Sequence, residues 1–243
     1  MKNNNYLVVI PARMESMRLP KKPLIDIAGK SLIQRTCEQV AKVIPIENFL
    51  VATDHNEILN HILDLGYRVE LTSASCLTGT DRVAEIARKY PYKHYINVQG
   101  DEPIINPKDI LKAVSSIDEF PNDVLNGYTA VSSEEDYFSN TIPKVVFRPD
   151  GRLLYMSRTN IPGNKGNIFI KSWRQVCIYV FPRELLLEFQ NIRNKTNLER
   201  IEDIEVLRFL EMGYDVRMIE MSNDSIAVDV EEDINKVLKR LNE

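Results

Sequence analysis

Three cysteines in 243 residues, Cys37, Cys76 and Cys177, are too few and too scattered to frame a fold. Their number is odd and no CxxC pair occurs, which excludes a disulfide scaffold or a structural zinc and leaves reduced thiols outside the chemistry. Long apolar runs are missing as well. Runs such as residues 6–10 are strand-sized, far below the roughly 18 residues of a membrane span, so neither a membrane helix nor a membrane partner is expected. Nor is there a surplus of positive charge. The 31 Lys and Arg face 35 Asp and Glu, a net charge of −4, which excludes a broadly basic nucleic-acid surface. Internal repeats and low-complexity linkers are absent too. The opening Met-Lys-Asn-Asn-Asn-Tyr runs into a short apolar stretch and then a charged motif, not a longer apolar segment with a small-residue cleavage site, so a cytoplasmic location is expected. What is present is ordinary for a globular chain: 44% hydrophobic and 27% charged residues, consistent with one domain over 1–243 that buries roughly three-quarters of its unfolded surface.

Over the first hundred residues, short apolar runs alternate with helical patterns. Strands are expected at 6–11, 48–52, 68–71 and 95–98, with helices at 32–44, 57–65 and 81–89 between them. That rhythm builds an α/β fold with a mixed, mainly parallel sheet, and the continuously apolar strands suit a sheet covered on both faces. Right-handed crossovers then place the loops that leave the strands along one edge, where open α/β sheets bind ligands. From 124 to 180 the texture changes to short β-rich runs at 128–131, 144–147, 153–156 and 175–180, broken by Pro149-Asp150-Gly151 and other turn signals. These read as antiparallel additions to the sheet and an excursion able to pair with another subunit. A helix at 198–212, a strand at 214–219 and an amphipathic helix at 231–241 complete the chain.

Charge gathers at the strand ends. Arg13, Arg18, Lys21 and Lys22 fall within ten residues after the first strand of an otherwise acidic chain. Such a loop can be a mere solvated basic segment, but at a strand's carboxyl end its cations can converge on a polyanion such as a nucleoside triphosphate. It is neither a Walker motif nor a GxGxxG loop. Gln99-Gly100-Asp101-Glu102 closes another expected strand and offers carboxylates suited to Mg²⁺, which prefers one or two carboxylates together with substrate phosphates. Asp101 or Glu102 could instead cap the helix after Pro103. Asp229, at a further strand-to-helix junction, taken alone reads as an N-cap.

These residues carry a resemblance. Ile10-Pro11-Ala12-Arg13 with Arg18-Leu19-Pro20-Lys21-Lys22-Pro23, Thr78-Gly79-Thr80-Asp81-Arg82, Asn97-Val98-Gln99-Gly100-Asp101-Glu102-Pro103, Pro143-Lys144-Val145-Val146, Ser157-Arg158, Ile178-Tyr179, Leu198-Glu199 and Val228-Asp229 occur in the order found in the 3-deoxy-manno-octulosonate cytidylyltransferase (CMP-Kdo synthetase) family, across nearly the whole chain. The resemblance implies a Rossmann-like nucleotide-diphosphosugar-transferase fold, a homodimer built through 124–180, Mg²⁺ as cofactor, and transfer of CMP from CTP to the anomeric hydroxyl of a sugar acid for lipopolysaccharide or capsule synthesis. By position, Arg13 and Lys22 would hold the triphosphate with Arg18 in support. Thr80 and the backbone of Ala12 would hold the cytidine, and Asp101 and Asp229 the metal. Gln99, Arg158, Gln175, Tyr179 and Glu205 would meet the anionic acceptor.

The sequence departs from the family pattern on the acceptor side. Gln175 stands where the family has His, Gly163 where it has Trp and Val206 where it has Gln, while Ala227 and Val230 flank the final aspartate region in place of Gly and Thr. Lost hydrogen-bonding groups are how related enzymes change substrate, so Gln175 and Val206 are expected to govern acceptor choice. Kdo, a modified Kdo or another anionic acceptor remain open, as does a nucleotide-binding protein without turnover on the same fold.

Overall fold

The computed structural model describes residues 5–16 and 18–242. The first half contains β1 (Tyr6–Ala12), a small hairpin of β2 (Asp26–Ile27) and β3 (Lys30–Ser31), α1 (Leu32–Ala41), β4 (Phe49–Thr53), α2 (Asn56–Asp64), β5 (Val69–Leu71), α3 (Gly79–Lys89), β6 (His94–Val98) and α4 (Pro107–Glu119). The second half contains β7 (Val124–Ala130), α5 (Glu134–Phe138), β8 (Lys144–Phe147), β9 (Leu153–Ser157), β10 (Trp173–Pro182), α6 (Arg183–Asn191), α7 (Asn197–Glu202), α8 (Leu207–Glu211), β11 (Val216–Glu220) and α9 (Glu231–Leu241).

The main sheet runs β11-β7-β10-β6-β1-β4-β5. Every neighbouring pair on that path is parallel except those of β10, which runs antiparallel to both β6 and β7. Strands β8 and β9 extend it antiparallel from the start of β10. Strand β1 shows why the sheet sits inside: Leu7 and Val9 enter the core on one face, and Tyr6, Val8 and Ile10 the core on the other. A strand apolar on both faces is stable only when helices cover both. Hydroxyl caps start the helices that do so, Ser31 Oγ accepting from Gln34 N at 3.1 Å for α1 and Thr78 Oγ1 from Asp81 N at 3.2 Å for α3.

The α/β class, the parallel half and the antiparallel additions follow the sequence expectations. Besides the β2–β3 hairpin and α5, which fall outside the expected elements, two stretches differ. The helix expected over 198–212 is two short helices, because Asp203 takes a left-handed φ of 51° and interrupts the ladder between α7 and α8. Helix α6 falls outside the expected elements, its buried Leu186 and Phe189 following directly on β10. No helix among the described residues is long and apolar enough to cross a membrane.

Candidate active site

Strands β1 and β6 are neighbours, so Arg13 and Gln99-Gly100-Asp101 leave the sheet side by side. Gly100 permits this approach: a Cβ there would lie 2.7 Å from the Pro11 carbonyl oxygen. Beyond β1 the chain turns through Lys21, at a left-handed φ of 53°, into a 3₁₀ turn over Lys22–Leu24. The turn sends the two adjacent lysines apart. Lys21 points outward to Glu57 at 3.0 Å, whereas Lys22 points inward, its Nζ donating to Asp101 Oδ2 at 2.7 Å and Asp229 Oδ1 at 3.0 Å. Arg18 Nη2 reaches the same Asp229 oxygen at 3.3 Å. Burial pulls the Lys22 ammonium down, but the two carboxylates outweigh it and hold the pKa above that of an ordinary lysine.

Asp229 arrives because Val228 N donates to the Asp101 carbonyl at 2.9 Å, while Val228 packs with Ile27, Leu32 and Val237 beneath the loop. Its carboxylate is not a helix cap: Asp233 Oδ2 accepts from the amides of Asp229 and Val230 at 3.0 and 3.1 Å and does that work for α9. Likewise Asn106, through Lys108 N at 2.9 Å, caps α4, so neither Asp101 nor Glu102 is spent there. Asp101 Oδ1 is buried without a hydrogen-bond partner. A seat of two converging carboxylates with a spare oxygen fits a hard divalent cation whose remaining ligands are phosphate and water, and the described residues hold no cluster of three or more ligand side chains that would bind one by itself.

A cavity of about 760 Å³ opens over these groups. Ala12, Arg13, Arg18, Lys22, Asp101 and Asp229 line one end. Arg13 is exposed there and makes no ion pair or hydrogen bond among the described residues. Gln99, Arg158, Gln175, Tyr179 and Glu205 line the other. Thr80 does not reach it. At 1% exposure it lies behind the wall formed by Thr78 and Gly79, and its amide donates to Glu205 Oε2 at 3.0 Å.

The end lined by Gln99 and Glu205 is pre-wired. Glu205 Oε1 accepts from Gln99 Nε2 at 2.9 Å, and burial raises the Glu205 pKa above that of an ordinary glutamate. Arg158 spends its guanidinium on backbone carbonyls, Nε to Glu202 at 2.6 Å and Nη2 to Asp203 at 3.0 Å. Between Val176 and Tyr179 the pairing of β10 with β7 shifts register, and Asn126 Nδ2 donates to the carbonyls of Val176 and Ile178 at 3.2 and 3.0 Å. Those bonds fix Asn126 Oδ1 as an acceptor, which takes Gln175 Nε2 at 2.9 Å; the same nitrogen reaches Tyr179 Oη at 3.1 Å. Burial raises the pKa of Tyr179 well above its usual range, so its hydroxyl keeps its proton. Val206, expected beside Gln175, is 1% exposed in the apolar core and lines no part of the cavity.

Three contributors escaped the sequence reading as site residues. Asp54 at the end of β4 accepts from Met14 N at 3.2 Å and from Arg82 Nη2 at 3.0 Å, pinning the basic loop to α3. Arg208 binds Asp81 from 127 residues away. Arg82 is marked only by its place in Thr78-Gly79-Thr80-Asp81-Arg82 and Asp54 by its place just after an expected strand, and no spacing rule marks Arg208.

The chain is similar to known proteins along its length. The cytidylyltransferase family model matches residues 7–222. A 3-deoxy-manno-octulosonate cytidylyltransferase of Protochlamydia amoebophila is 38% identical, over 94% of this chain and 91% of that protein. One from Geobacter sulfurreducens is 36% identical, over 98% and 99%. A solved CMP:2-keto-3-deoxy-manno-octonic acid synthetase in complex with CTP superposes with a TM-score of 0.88 at 31% identity, covering 98% of each chain. A 4-diphosphocytidyl-2C-methyl-D-erythritol synthase from Anaerococcus prevotii, at 12% identity and TM-score 0.66, shares the fold.

Proposed function

The chain belongs to the 3-deoxy-manno-octulosonate cytidylyltransferases, and from that footing we propose that it transfers CMP from CTP to the anomeric hydroxyl of Kdo, releasing pyrophosphate for synthesis of a bacterial surface glycan. The observation that carries the reading is the convergence of Lys22, Asp101 and Asp229, with Arg13 and Arg18 lining the same end of the cavity.

In this transfer the acceptor hydroxyl forms a bond to the α-phosphorus while the bond to the pyrophosphate oxygen breaks, so negative charge builds on the leaving group. Lys22, held charged by its two carboxylate neighbours, and the exposed Arg13 supply fixed positive charge to that end, which lowers the barrier by stabilising the charge as it develops. Phosphate oxygens would compete with Asp101 and Asp229 for the Lys22 ammonium and leave both carboxylates to Mg²⁺. The chemistry that ion supplies when bound is charge neutralisation on the phosphates and a lowered pKa of the attacking hydroxyl. At the far end Gln99, Arg158 and Tyr179 border the space for the sugar acid. Among the described residues no histidine lines the cavity; His55 Nδ1, for instance, accepts from Glu57 N at 3.2 Å as the cap of α2.

A modified Kdo as acceptor is the second reading, and Gln175 favours it. With Nε2 taken by Asn126 and Tyr179, that side chain offers a ligand a carbonyl oxygen, a different demand from that of the family's imidazole. Pyrophosphate release from CTP and Mg²⁺ across a panel of sugar acids tests both. Kdo should support turnover, with CTP preferred over ATP and GTP. Equal rates with all nucleotides would remove the cytidine assignment, and turnover confined to another acid would move the acceptor.

A further inference from the structure

Among the described residues the largest wholly buried side chain is Arg208, at 0% exposure, and nothing in the proposed transfer uses it. Its guanidinium is filled by two carboxylates. Nε and Nη2 donate to Glu199 Oε2 and Oε1 at 2.7 and 2.6 Å, while Nη1 and Nη2 donate to Asp81 Oδ1 and Oδ2 at 2.8 and 3.2 Å, and the Phe189 ring lies 3.7 Å from the guanidinium carbon. Burying an arginine is costly unless every donor is met, and a fork of this shape holds two carboxylates in a fixed relation as a lysine could not.

What it relates is the two walls of the cavity. Asp81 stands in the first turn of α3, where it also accepts from Thr78 Oγ1 at 2.7 Å, next to the Thr78–Gly79 wall. Glu199 stands on α7, and Arg208 itself on α8. Between those helices lies the break at 203–206, and in it Glu205, whose two oxygens are both engaged, one by Thr80 N at 3.0 Å and the other by Gln99 Nε2 at 2.9 Å. The Gln99 amide lies flat on Gly79, where a Cβ would come within 2.8 Å of Nε2 and 3.0 Å of Oε1. Its nitrogen is therefore fixed on Glu205. Its carbonyl oxygen meets no donor among the described residues and belongs to a side chain that lines the cavity.

We propose that Arg208 is a positioning residue for the transfer: by clamping Asp81 to Glu199 it sets the 203–206 break against α3, so that Glu205 orients Gln99 for the acceptor. Glu205 takes one N–H on each oxygen, and the one from Gln99 fixes which end of that amide faces the cavity. The inference rests on the proposed acceptor chemistry, and its test includes a readout that does not.

Arg208→Lys keeps the charge and loses the fork. Glu205→Gln keeps the shape but turns a donor against one of the two N–H groups. Each should lower kcat/KM for the acceptor ten- to a hundredfold while CTP affinity changes less than threefold, and the double variant should be no worse than the poorer single one within about twofold. Losses that multiply would mean Arg208 acts on stability alone and would overturn the proposal. The ligand-free readout is the side-chain amide resonance of Gln99, identified by its disappearance in Gln99→Glu. It should shift in both single variants, and an unmoved resonance in Arg208→Lys overturns the proposal whatever the acceptor proves to be. Should Arg208→Lys not fold, Asp81→Asn, which leaves the Arg208–Glu199 pair intact, puts the same question by the same two measurements. Wild-type protein inactive with every sugar acid would instead defeat the functional reading.

Discussion

Lys21 and Lys22 are chemically identical neighbours, and a single left-handed backbone conformation at Lys21 separates a solvated ion pair from the cation of the site. Sequence reading marked the basic loop but could not divide its labour, because that depends on φ at one residue. Asp101 and Asp229 follow the same logic. Their side chains are 24% and 27% exposed, so replacing either carboxylate removes charge from the cavity without hollowing the core. Asp101→Asn and Asp229→Asn should each reduce turnover at least a hundredfold, and shift unfolding free energy by about 1 kcal/mol or less, the usual worth of a partly exposed pair. Steady-state kinetics beside urea unfolding check both halves; near-full activity of Asp229→Asn at saturating Mg²⁺ would reduce that residue to a loop contact. Glu102, one residue on, behaves differently. At 1% exposure, desolvation and then the Asp101 charge push its carboxyl from 4.5 up to about 7, against the pull of Arg174. The folded chain thus keeps a proton that the unfolded chain gives up, so this stabilisation is complete below pH 4.5 and is lost as pH rises towards 7. Glu102→Gln should abolish that slope and leave the chelator-treated protein about 3 kcal/mol more stable at pH 8 than the wild type, as read by denaturant unfolding at pH 4.5 and 8. An unchanged slope would assign it to other groups.

At the scale of elements, the parallel half was legible because its signals are local. Strands β1, β4 and β6 are short, mostly apolar runs, and the loops after β1 and β6 carry their charge within a few residues of the strand ends. The expected helix 231–241 coincides with α9. The 198–212 stretch was not legible: its periodicity continues through 203–206, while the chain breaks there to turn Glu205 into the cavity. That break also decides the fate of Val206. The family resemblance places it beside Gln175 on the acceptor, but it packs at 1% exposure in the core with Phe181, Phe209 and their neighbours. Val206→Gln should therefore bury an amide without partners and cost about 1–3 kcal/mol of stability, with discrimination among acceptors unchanged. A shift in relative kcat/KM between two sugar acids, measured on the folded fraction, would return Val206 to the pocket. The Gln175–Asn126–Tyr179 chain was equally hidden, since the irregular pairing of β10 with β7 that orients it has no mark in composition.

Among the described residues, the most exposed large aliphatic side chains gather on two stretches of the chain. Among the described residues, five large aliphatic side chains are more than half exposed, and four of them, Leu154 at 59%, Ile168 at 54%, Ile170 at 72% and Ile201 at 77%, lie on β9, in the segment between β9 and β10, or on α7. Scattered apolar residues are normal on a surface, but a concentration in one stretch is not. The two parts are joined, since Tyr155 Oη donates to Glu202 at 3.2 Å and Arg158 Nε to the Glu202 carbonyl at 2.6 Å. A self-complementary two-fold contact is the simplest way to cover such a region, and it accords with the subunit pairing expected of the β-rich excursion. The protein should sediment as a dimer of twice 28.0 kDa. Leu154→Asp with Ile170→Asp, both at exposed positions with no core to disturb, should yield a folded monomer. Because Arg158 follows directly on β9 and lines the cavity beside Gln175 and Glu205, where the acceptor is proposed to sit, loosening the excursion should also raise KM for the acceptor more than for CTP. Sedimentation velocity and kinetics on the same sample read both effects. A variant that remains dimeric would move the interface elsewhere, and a monomer with unaltered acceptor KM would show that subunit contact and acceptor binding are independent.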